Sequence, residues 1–386
     1  MKRKICFITG TRAEYGLLRQ LILDASKDKS ITTQLIVTGT HLSERHGFTY
    51  KEIETDGITI SKKVDLKIKG DSSREVIQYI SEGLNGFSKA FDILKPNMIV
   101  VLGDRYEILA AAISAMISNI PIAHLHGGET TEGAFDEAIR HSITKMSHLH
   151  FVAAPEYQKR VKQLGEVPQN IFLVGGLGVD AIHRVELMKK SELEESLDFS
   201  FGKRNFLITV HPETLEKNKT PKDQMGELLA ALESLKDTKF IFTLPNADTN
   251  NIQISKMIEE FQARHPYSSK VFSSLGQLRY YSTLKFVDAV VGNSSSGLTE
   301  APSFKIGTIN IGGRQSGRLK ALSVIDCDFD KNQILRSIKT LQSKSFQKKL
   351  LTITNPYGAP GAPQKILQHI KKISLNNILK KNFYDL

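Results

Sequence analysis

Residues 100–141 read VVLGDRYEILAAAISAMISNIPIAHLHGGETTEGAFDEAIRH, and this stretch decides the fold class. Residues 98–102 and 121–125 are short apolar runs of the kind that a parallel sheet buries on both faces. A helical segment at 110–117 lies between them, giving strand, helix and strand in sequence. Each strand ends in a polar cluster. Gly103-Asp104-Arg105 closes the first, and His124-Leu125-His126-Gly127-Gly128-Glu129 closes the second. Carboxyl ends of neighbouring parallel strands lie side by side, so both clusters are expected to open into one crevice. Glycines there let backbone approach a ligand closely. Asp104, His126, Glu129, Glu132, Asp136 and His141 would then crowd one wall. So many titratable groups at strand ends point to acid/base chemistry.

The same alternation continues outward. Residues 5–9 predict a strand, followed by Gly10-Thr11-Arg12-Ala13-Glu14-Tyr15-Gly16 and an amphipathic helix to about Lys27. Such a junction is expected to aim free backbone N–H groups at the crevice, where an anion is favoured. Arg12 would add a bidentate grip on phosphate; a solvated arginine at a helix start is the equal alternative. The loop is not a Walker A loop, because no Gly-Lys-Ser/Thr follows. Residues 34–38 form a second strand and 72–94 a long helix that stops before Pro96. Further on, 136–146 and 156–164 read as helices, and 150–153 and 171–174 as strands. A doubly wound parallel sheet follows.

Near 189–201 the chain turns charged and strandless, and a domain boundary falls there or slightly before. A second alternation follows, with strands at 206–210, 240–244, 270–272, 289–291 and 308–311. Its helices lie at 225–235, 252–264, 278–284 and 333–341. Further helix signals lie at 363–373 and 376–381. The organisation expected is a Rossmann-like domain over 1–182 carrying the acid/base residues, a second Rossmann-like domain over 183–362, and a helical tail over 363–386. Two α/β halves without a long tether suggest domains facing across a cleft.

The whole-chain properties bound the function. A length of 386 residues exceeds one core and suits two domains. The net charge of +11 comes from lysines scattered along the chain. No nucleic-acid motif accompanies it, so it reads as a solvated surface plus a site for an anionic small molecule. No apolar run reaches the roughly 18 residues of a membrane span. The basic start Met1-Lys2-Arg3-Lys4 precedes an apolar run too short for a signal peptide, so a cytoplasmic protein is expected. Cys6 and Cys327 make no metal or redox spacing, and Cys6 reads as a small buried residue. His148 and His150 fit no zinc spacing and read as packed.

Gly176-Leu177-Gly178-Val179-Asp180-Ala181 matches the dinucleotide pattern G-x-G-x-x-A. The charged helix that follows lacks the acidic strand end expected about 20 positions on, so close packing explains the glycines better than a nicotinamide site. In the second half, Gly292-Asn293-Ser294-Ser295-Ser296-Gly297 follows a strand and opens a short helix containing Glu300. Hydroxyls, N–H groups and glycines suit a diphosphate, and Glu300 can accept both hydroxyls of a ribose. A plain serine N-cap is the alternative. His211-Pro212, Leu244-Pro245-Asn246 and Gly312-Gly313-Arg314-Gln315-Ser316-Gly317-Arg318 each follow a strand, so they should line the same cleft.

Taken in order, these motifs resemble the UDP-N-acetylglucosamine 2-epimerase family over nearly the whole chain, in particular its hydrolysing branch from sialic-acid-type biosynthesis. Gly10 to Tyr15, Gly103-Asp104-Arg105, His-x-x-Gly-Gly-Glu ending at Glu129, Asp136 with Ile139-Arg140-His141, His211-Pro212, Pro245-Asn246, Gly292 to Ser295 with Glu300, and Gly313-Arg314-Gln315 carry the resemblance. It implies a glycosyltransferase-B-like fold with UDP held mainly by the second domain. Arg12 and His211 would contact the phosphates, Ser294, Ser295 and Arg314 would complete the diphosphate site, and Glu300 would hold the ribose. Asn246 would line the nucleotide pocket, and Arg105 joins the substrate-binding set. Asp104, Glu129 and Asp136 would be the acid/base carboxylates, with His126 a further candidate. No cofactor and no metal is implied, and a homodimer or homotetramer is usual. One departure concerns the sugar. The branch that makes N-acetylmannosamine reads His-Ile-Glu-Gly-Gly-Glu, whereas here the first glutamate is His126, and the loop from Thr130 to Phe135 is one residue longer. The His form is similar to relatives acting on nucleotide-linked 2,4-diacetamido-2,4,6-trideoxyhexoses, precursors of legionaminic-type acids.

The chemistry expected is elimination of UDP to a 2-acetamidoglycal, then hydration with inversion at C2. A non-hydrolysing 2-epimerase, a retaining glycosyltransferase on the same fold and a binding-only nucleotide-sugar sensor are the alternatives.

Overall fold

The buried apolar runs become strands of two separate parallel sheets in the computed structural model of the protein, which describes residues 2–70, 72–131, 135–213, 220–245 and 251–386. The chain divides into two units. The first comprises Met1–Glu129, Asp136–Ala181 and Tyr357–Leu386, and the second Thr130–Phe135 and Ile182–Pro356. Among the described residues, no helix is long and apolar enough to cross a membrane.

The first unit holds β1 (Arg3–Thr9), β2 (Ile31–Thr38), β3 (Lys62–Val64), β4 (Met98–Leu102), β5 (Ile122–Leu125), β6 (Leu149–Val152) and β7 (Ile171–Leu173). Their order is β3-β2-β1-β4-β5-β6-β7, every pairing parallel. Chain progression reverses between β1 and β4, and a crevice opens at such a switch point outside the strands' carboxyl ends. All five residues of β4 are buried, as its unbroken apolar sequence requires. Leu18, Leu21 and Ile22 of the helix Arg12–Lys27 pack with Ile366 and Ile370 of the helix Ala362–Lys372 in one core. The C-terminal segment is therefore part of this unit. Arg3 Nη2 donates to the Ile373 carbonyl at 2.9 Å, and Gly361 N donates to Asp180 Oδ1 at 2.6 Å. Gly176 N donates to the Tyr357 carbonyl at 2.9 Å, so the G-x-G-x-x-A segment serves close packing against the returning chain. Cys6 is fully buried. His148 Nδ1 accepts from Ile122 N, and His150 pairs with Glu166, so both histidines are packed, as expected.

The second unit holds β8 (Arg204–Thr209), β9 (Thr238–Thr243), β10 (Ser269–Phe272), β11 (Ala289–Gly292), β12 (Gly307–Ile311) and β13 (Val324–Cys327), ordered β10-β9-β8-β11-β12-β13 and again parallel. The switch point lies between β8 and β11. Phe206, Ile208, Phe242 and Phe261 anchor its core.

The edge strands β3 and β13 differ from expectation. Lys62-Lys63-Val64 is too short and polar for an apolar run, Asp326 interrupts Val324-Ile325-Asp326-Cys327, and pairing with β2 and β12 makes both strands. Lys190–Leu197 is a helix although half its sequence is charged, because Leu193 and Leu197 share one buried side. The helix Lys344–Thr352 was likewise not expected. Residues 376–379 form a turn where a helix over 376–381 was expected, and Lys381 Nζ reaches buried Glu166 at 2.7 Å.

Candidate active site

Arg140 gathers the polar ends of β4 and β5. It lies on the helix Asp136–Met146 and is almost fully buried. Its Nη2 meets Asp104 Oδ2, its Nη1 donates to the His126 carbonyl at 2.8 Å, and Nη1 lies 4.0 Å from Glu129 Oε2. One guanidinium thus offsets two buried or half-buried carboxylates and fixes the turn that carries a third group. Asp136 is buried at the start of the same helix. His141, expected on the same wall, pairs with Glu137 one turn back at 2.9 Å. Glu132 lies outside the described residues.

The turn after β5 is tightly constrained. His126 has φ of 61°, a left-handed conformation that side-chain-bearing residues seldom adopt. Gly128 has φ of 77°, and a Cβ there would lie 2.5 Å from the Tyr157 carbonyl, so only glycine fits. Leu177 N donates to His126 Nε2 at 3.3 Å. Nε2 is therefore the acceptor, the imidazole proton sits on Nδ1, and that proton points at Glu129 Oε1, 2.8 Å away. Both ring nitrogens are engaged. His124 is a packed residue: Nε2 donates to the Gly103 carbonyl at 2.8 Å, and burial pulls its pKa down to about 3.

The junction after β1 departs from expectation. Glu14 Oε2 accepts from Gly10 N at 2.7 Å and Thr11 N at 3.2 Å, while Thr11 Oγ1 accepts from Glu14 N. This reciprocal capping box satisfies the Gly10, Thr11 and Glu14 N–H groups, three of those that the sequence offered to an anion. Arg12 remains as the charge there, and its guanidinium pairs with Glu52 of the helix Tyr50–Thr55, Nε to Oε2 at 2.7 Å. Arg105 is buried with Nε 3.6 Å from Glu107 Oε1, acting as counter-charge to buried carboxyls.

Glu14 itself is buried. Burial first, then the neighbouring Glu107, push its pKa up to about 8. Below pH about 4.5 the carboxyl is protonated in folded and unfolded chains alike. Between 4.5 and about 8 the unfolded chain releases the proton and the folded chain keeps it, so stability falls as pH rises and the loss is complete above that range. Glu14→Gln keeps the acceptor and cannot ionise. Its Tm is expected to drop between pH 5 and 9 by at least about 4 °C less than that of the unaltered protein. Parallel Tm profiles would show that Glu14 does not ionise in this range.

The second unit brings its own set together around Asn293, which is fully buried. Asn293 Oδ1 accepts from His211 N at 2.7 Å, and Nδ2 donates to the His211 carbonyl at 2.9 Å. Its own carbonyl accepts from Gln315 Nε2 at 2.8 Å and Arg314 Nη1 at 3.4 Å. Asn293 thereby staples the ends of β8 and β11 to the loop after β12. Gly292 makes this possible: φ is 128°, and a Cβ would lie 2.0 Å from the Thr209 carbonyl. Arg314 N also donates to Glu213 Oε1 at 3.0 Å, and burial holds the Glu213 carboxyl above its ordinary pKa. Ser294 and Ser295 precede the short helix Ser296–Thr299, and Glu300 follows it, buried. Thr130 and Thr131, which follow Glu129 in the chain, are held here: Thr130 Oγ1 donates to the Ser316 carbonyl at 2.9 Å and Arg318 Nη2 to Thr131 Oγ1 at 3.1 Å. Asn246 lies outside the described residues.

Within the first unit, then, Asp104, His126 and Glu129 meet at Arg140. Within the second, His211 and Arg314 meet at Asn293. Sequence reasoning gave no role to Arg140, Glu52 or Asn293. Arg140 and Asn293 stood inside quoted motifs, but only their bonds reveal what they do; nothing in the sequence marked Glu52.

Known proteins resemble this chain along its whole length. The sequence profile of the family described as UDP-N-acetylglucosamine 2-epimerase matches residues 24–371. The chain is 42% identical over 386 residues, covering all of both chains, to a protein of Campylobacter jejuni named GDP/UDP-N,N'-diacetylbacillosamine 2-epimerase (hydrolyzing). It is 41% identical to a polysialic acid biosynthesis protein of Escherichia coli, over 100% of this chain and 98% of that one. Among solved structures, the UDP-GlcNAc 2-epimerase of Neisseria meningitidis, crystallised with UDP-GlcNAc, superposes with a TM-score of 0.81 over 96% of this chain and all of that one, at 18% identity. That likeness shows the shared glycosyltransferase-B-like fold. With the profile spanning most of the chain and whole-length relatives above 40% identity, this protein belongs to the UDP-N-acetylglucosamine 2-epimerase family.

Proposed function

We propose that the protein is a hydrolysing 2-epimerase that converts a UDP-linked 2-acetamido sugar to UDP and the free sugar inverted at C2. The observation that carries this reading is the whole-length 42% identity to a relative named as hydrolysing. The sugar is a 2,4-diacetamido-2,4,6-trideoxyhexose, in keeping with that relative's name and with His126 in the His-x-x-Gly-Gly-Glu turn; UDP-N-acetylglucosamine is the second candidate, favoured by the polysialic acid relative. The same reading makes it a cytoplasmic homodimer or homotetramer serving sialic- or legionaminic-type acid biosynthesis.

The C2 hydrogen of such a sugar is too weakly acidic for a carboxylate acting alone. As the C1–O bond to UDP breaks, positive charge grows on C1 and the ring oxygen, and C2–H becomes far more acidic. Arg12, His211, Arg314, Ser294 and Ser295 stabilise the leaving diphosphate. Glu300 holds the ribose, Asn246 lines the nucleotide pocket, and Arg105 supports the substrate site as counter-charge to the carboxyls beside Arg12. A carboxylate takes the C2 proton and the 2-acetamidoglycal forms. Water then adds, its OH at C1 and a proton at C2 from the opposite face. Asp104, Glu129 and Asp136 are the proton-handling groups, and two faces require two of them. His126 acts through Glu129: with Nε2 bound to Leu177 N, its Nδ1–H orients that carboxylate.

Turnover in deuterated water, followed by proton NMR, tests this. The expected products from UDP-N-acetylglucosamine or its 4-acetamido-6-deoxy analogue are UDP and a free sugar deuterated at C2. A product still linked to UDP would establish the non-hydrolysing reaction instead, and a sugar that keeps its original C2 hydrogen would sink the elimination mechanism.

The Arg12–Glu52 pair has a consequence within this reading. Glu52 competes with phosphate for the guanidinium, and the pair is partly solvent-exposed, so its strength is modest. Glu52→Gln is expected to tighten UDP binding about twofold to fivefold by calorimetry. Weaker binding would mean that Glu52 presents Arg12 rather than holding it back.

A further inference from the structure

Two adjacent tyrosines of the helix Gly276–Leu284 meet the segment carrying Glu300. Tyr280 Oη lies 2.5 Å from Ser296 Oγ, and Tyr281 Oη donates to Glu300 Oε1 at 3.3 Å. Ser296 and Glu300 stand four residues apart, which puts them on one side of the short helical turn. Tyr281 is buried, with its ring centroid 6.2 Å from that of Tyr280 and 6.4 Å from that of Phe304. Held on both sides, the ring delivers its hydroxyl to a fixed point. A carboxylate that accepts two neighbouring hydroxyls of a sugar must keep one plane, and a single rigid donor on one oxygen sets that plane.

We propose that Tyr281 is a positioning residue for ribose recognition: its hydroxyl holds the Glu300 carboxylate in the plane that accepts the 2′- and 3′-hydroxyls of the nucleotide, and so sets the preference for ribonucleotides over deoxyribonucleotides. The proposal rests on the reading of Glu300 as the ribose acceptor. Tyr281→Phe keeps the ring and its packing and removes the hydroxyl, with its bond to Glu300 and its contact with Gln277. The carboxylate then turns to suit one hydroxyl at a time, and the second hydroxyl loses most of its contribution.

The test is calorimetric binding of UDP and 2′-deoxy-UDP to the full chain and three variants, with steady-state kinetics on the UDP-sugar. The unaltered protein is expected to prefer UDP about tenfold. Tyr281→Phe is expected to cut that preference to about twofold, chiefly by weakening UDP, with KM raised several-fold and kcat within about twofold. Phe304→Leu disturbs the same packing without touching the carboxylate and is expected to keep the tenfold preference. A full preference in Tyr281→Phe, or an equal loss in Phe304→Leu, overturns the role of the hydroxyl. Glu300→Gln separates the two levels. If it loses the preference while Tyr281→Phe keeps it, Glu300 reads the ribose and Tyr281 does not position it. If Glu300→Gln keeps the preference, the ribose reading of Glu300 fails, and this proposal with it.

Discussion

Glu129→Gln is expected to lower kcat by about a thousandfold, roughly 4 kcal/mol of transition-state stabilisation, while UDP binds with near-unaltered affinity. The substitution is nearly isosteric. The amide oxygen can still accept the His126 Nδ1 proton, so the turn after β5 keeps its shape. What disappears is a group able to take or return a proton. UDP affinity is largely spared because most of the proposed diphosphate and ribose residues, His211, Ser294, Ser295, Arg314 and Glu300, belong to the second unit, built on its own sheet, and Arg12, the one in the first unit, is held by Glu52. Asp104→Asn is expected to behave alike, with the amide oxygen accepting from Arg140. Single-turnover rates and UDP titration separate the two effects. Full activity in either variant would remove that carboxylate from the mechanism, and a parallel loss of UDP binding would assign it to binding instead.

Asn293→Ala is expected to have the largest effect on the second unit. It strips partners from His211 N and the His211 carbonyl together, both made by one buried side chain. An unsatisfied buried polar group costs about 1–3 kcal/mol, so the pair costs about 2–6 kcal/mol. A Tm loss of at least about 5 °C follows. His211 loses its fixed place at the end of β8, and UDP affinity is expected to fall about tenfold or more. Calorimetric melting and UDP titration check both. Unaltered values in both would show that water replaces the amide at no cost and that the staple does not place His211.

The central strands were legible because burial on both faces leaves an unbroken apolar signature. Residues 98–102 and Met98–Leu102 coincide, and the polar clusters after β4 and β5 do converge, on Arg140. The edges were not legible, since Lys62–Val64 and Val324–Cys327 owe their conformation to a neighbouring strand rather than to their own pattern. At the site, residue types were readable and pairings were not. Glu14, in an ordinary helix-start pattern, consumes the Gly10 and Thr11 amides that the reading had offered to phosphate. Glu52 reaches Arg12 from 40 residues away, and Leu177 fixes the His126 tautomer from 51 away. Such long-range bonds depend on tertiary placement and leave no local trace.

The helix Ala362–Lys372 completes the core that begins at β1, so the first unit cannot close until residues 362–372 have been made. Every residue of the second unit has been made by Pro356. Vectorial synthesis therefore gives the later-encoded unit the earlier chance to fold, reversing the usual N-terminal-first order. Until then Leu18, Leu21 and Ile22 on the emerging first helix lack their final cover, leaving an apolar face open to water.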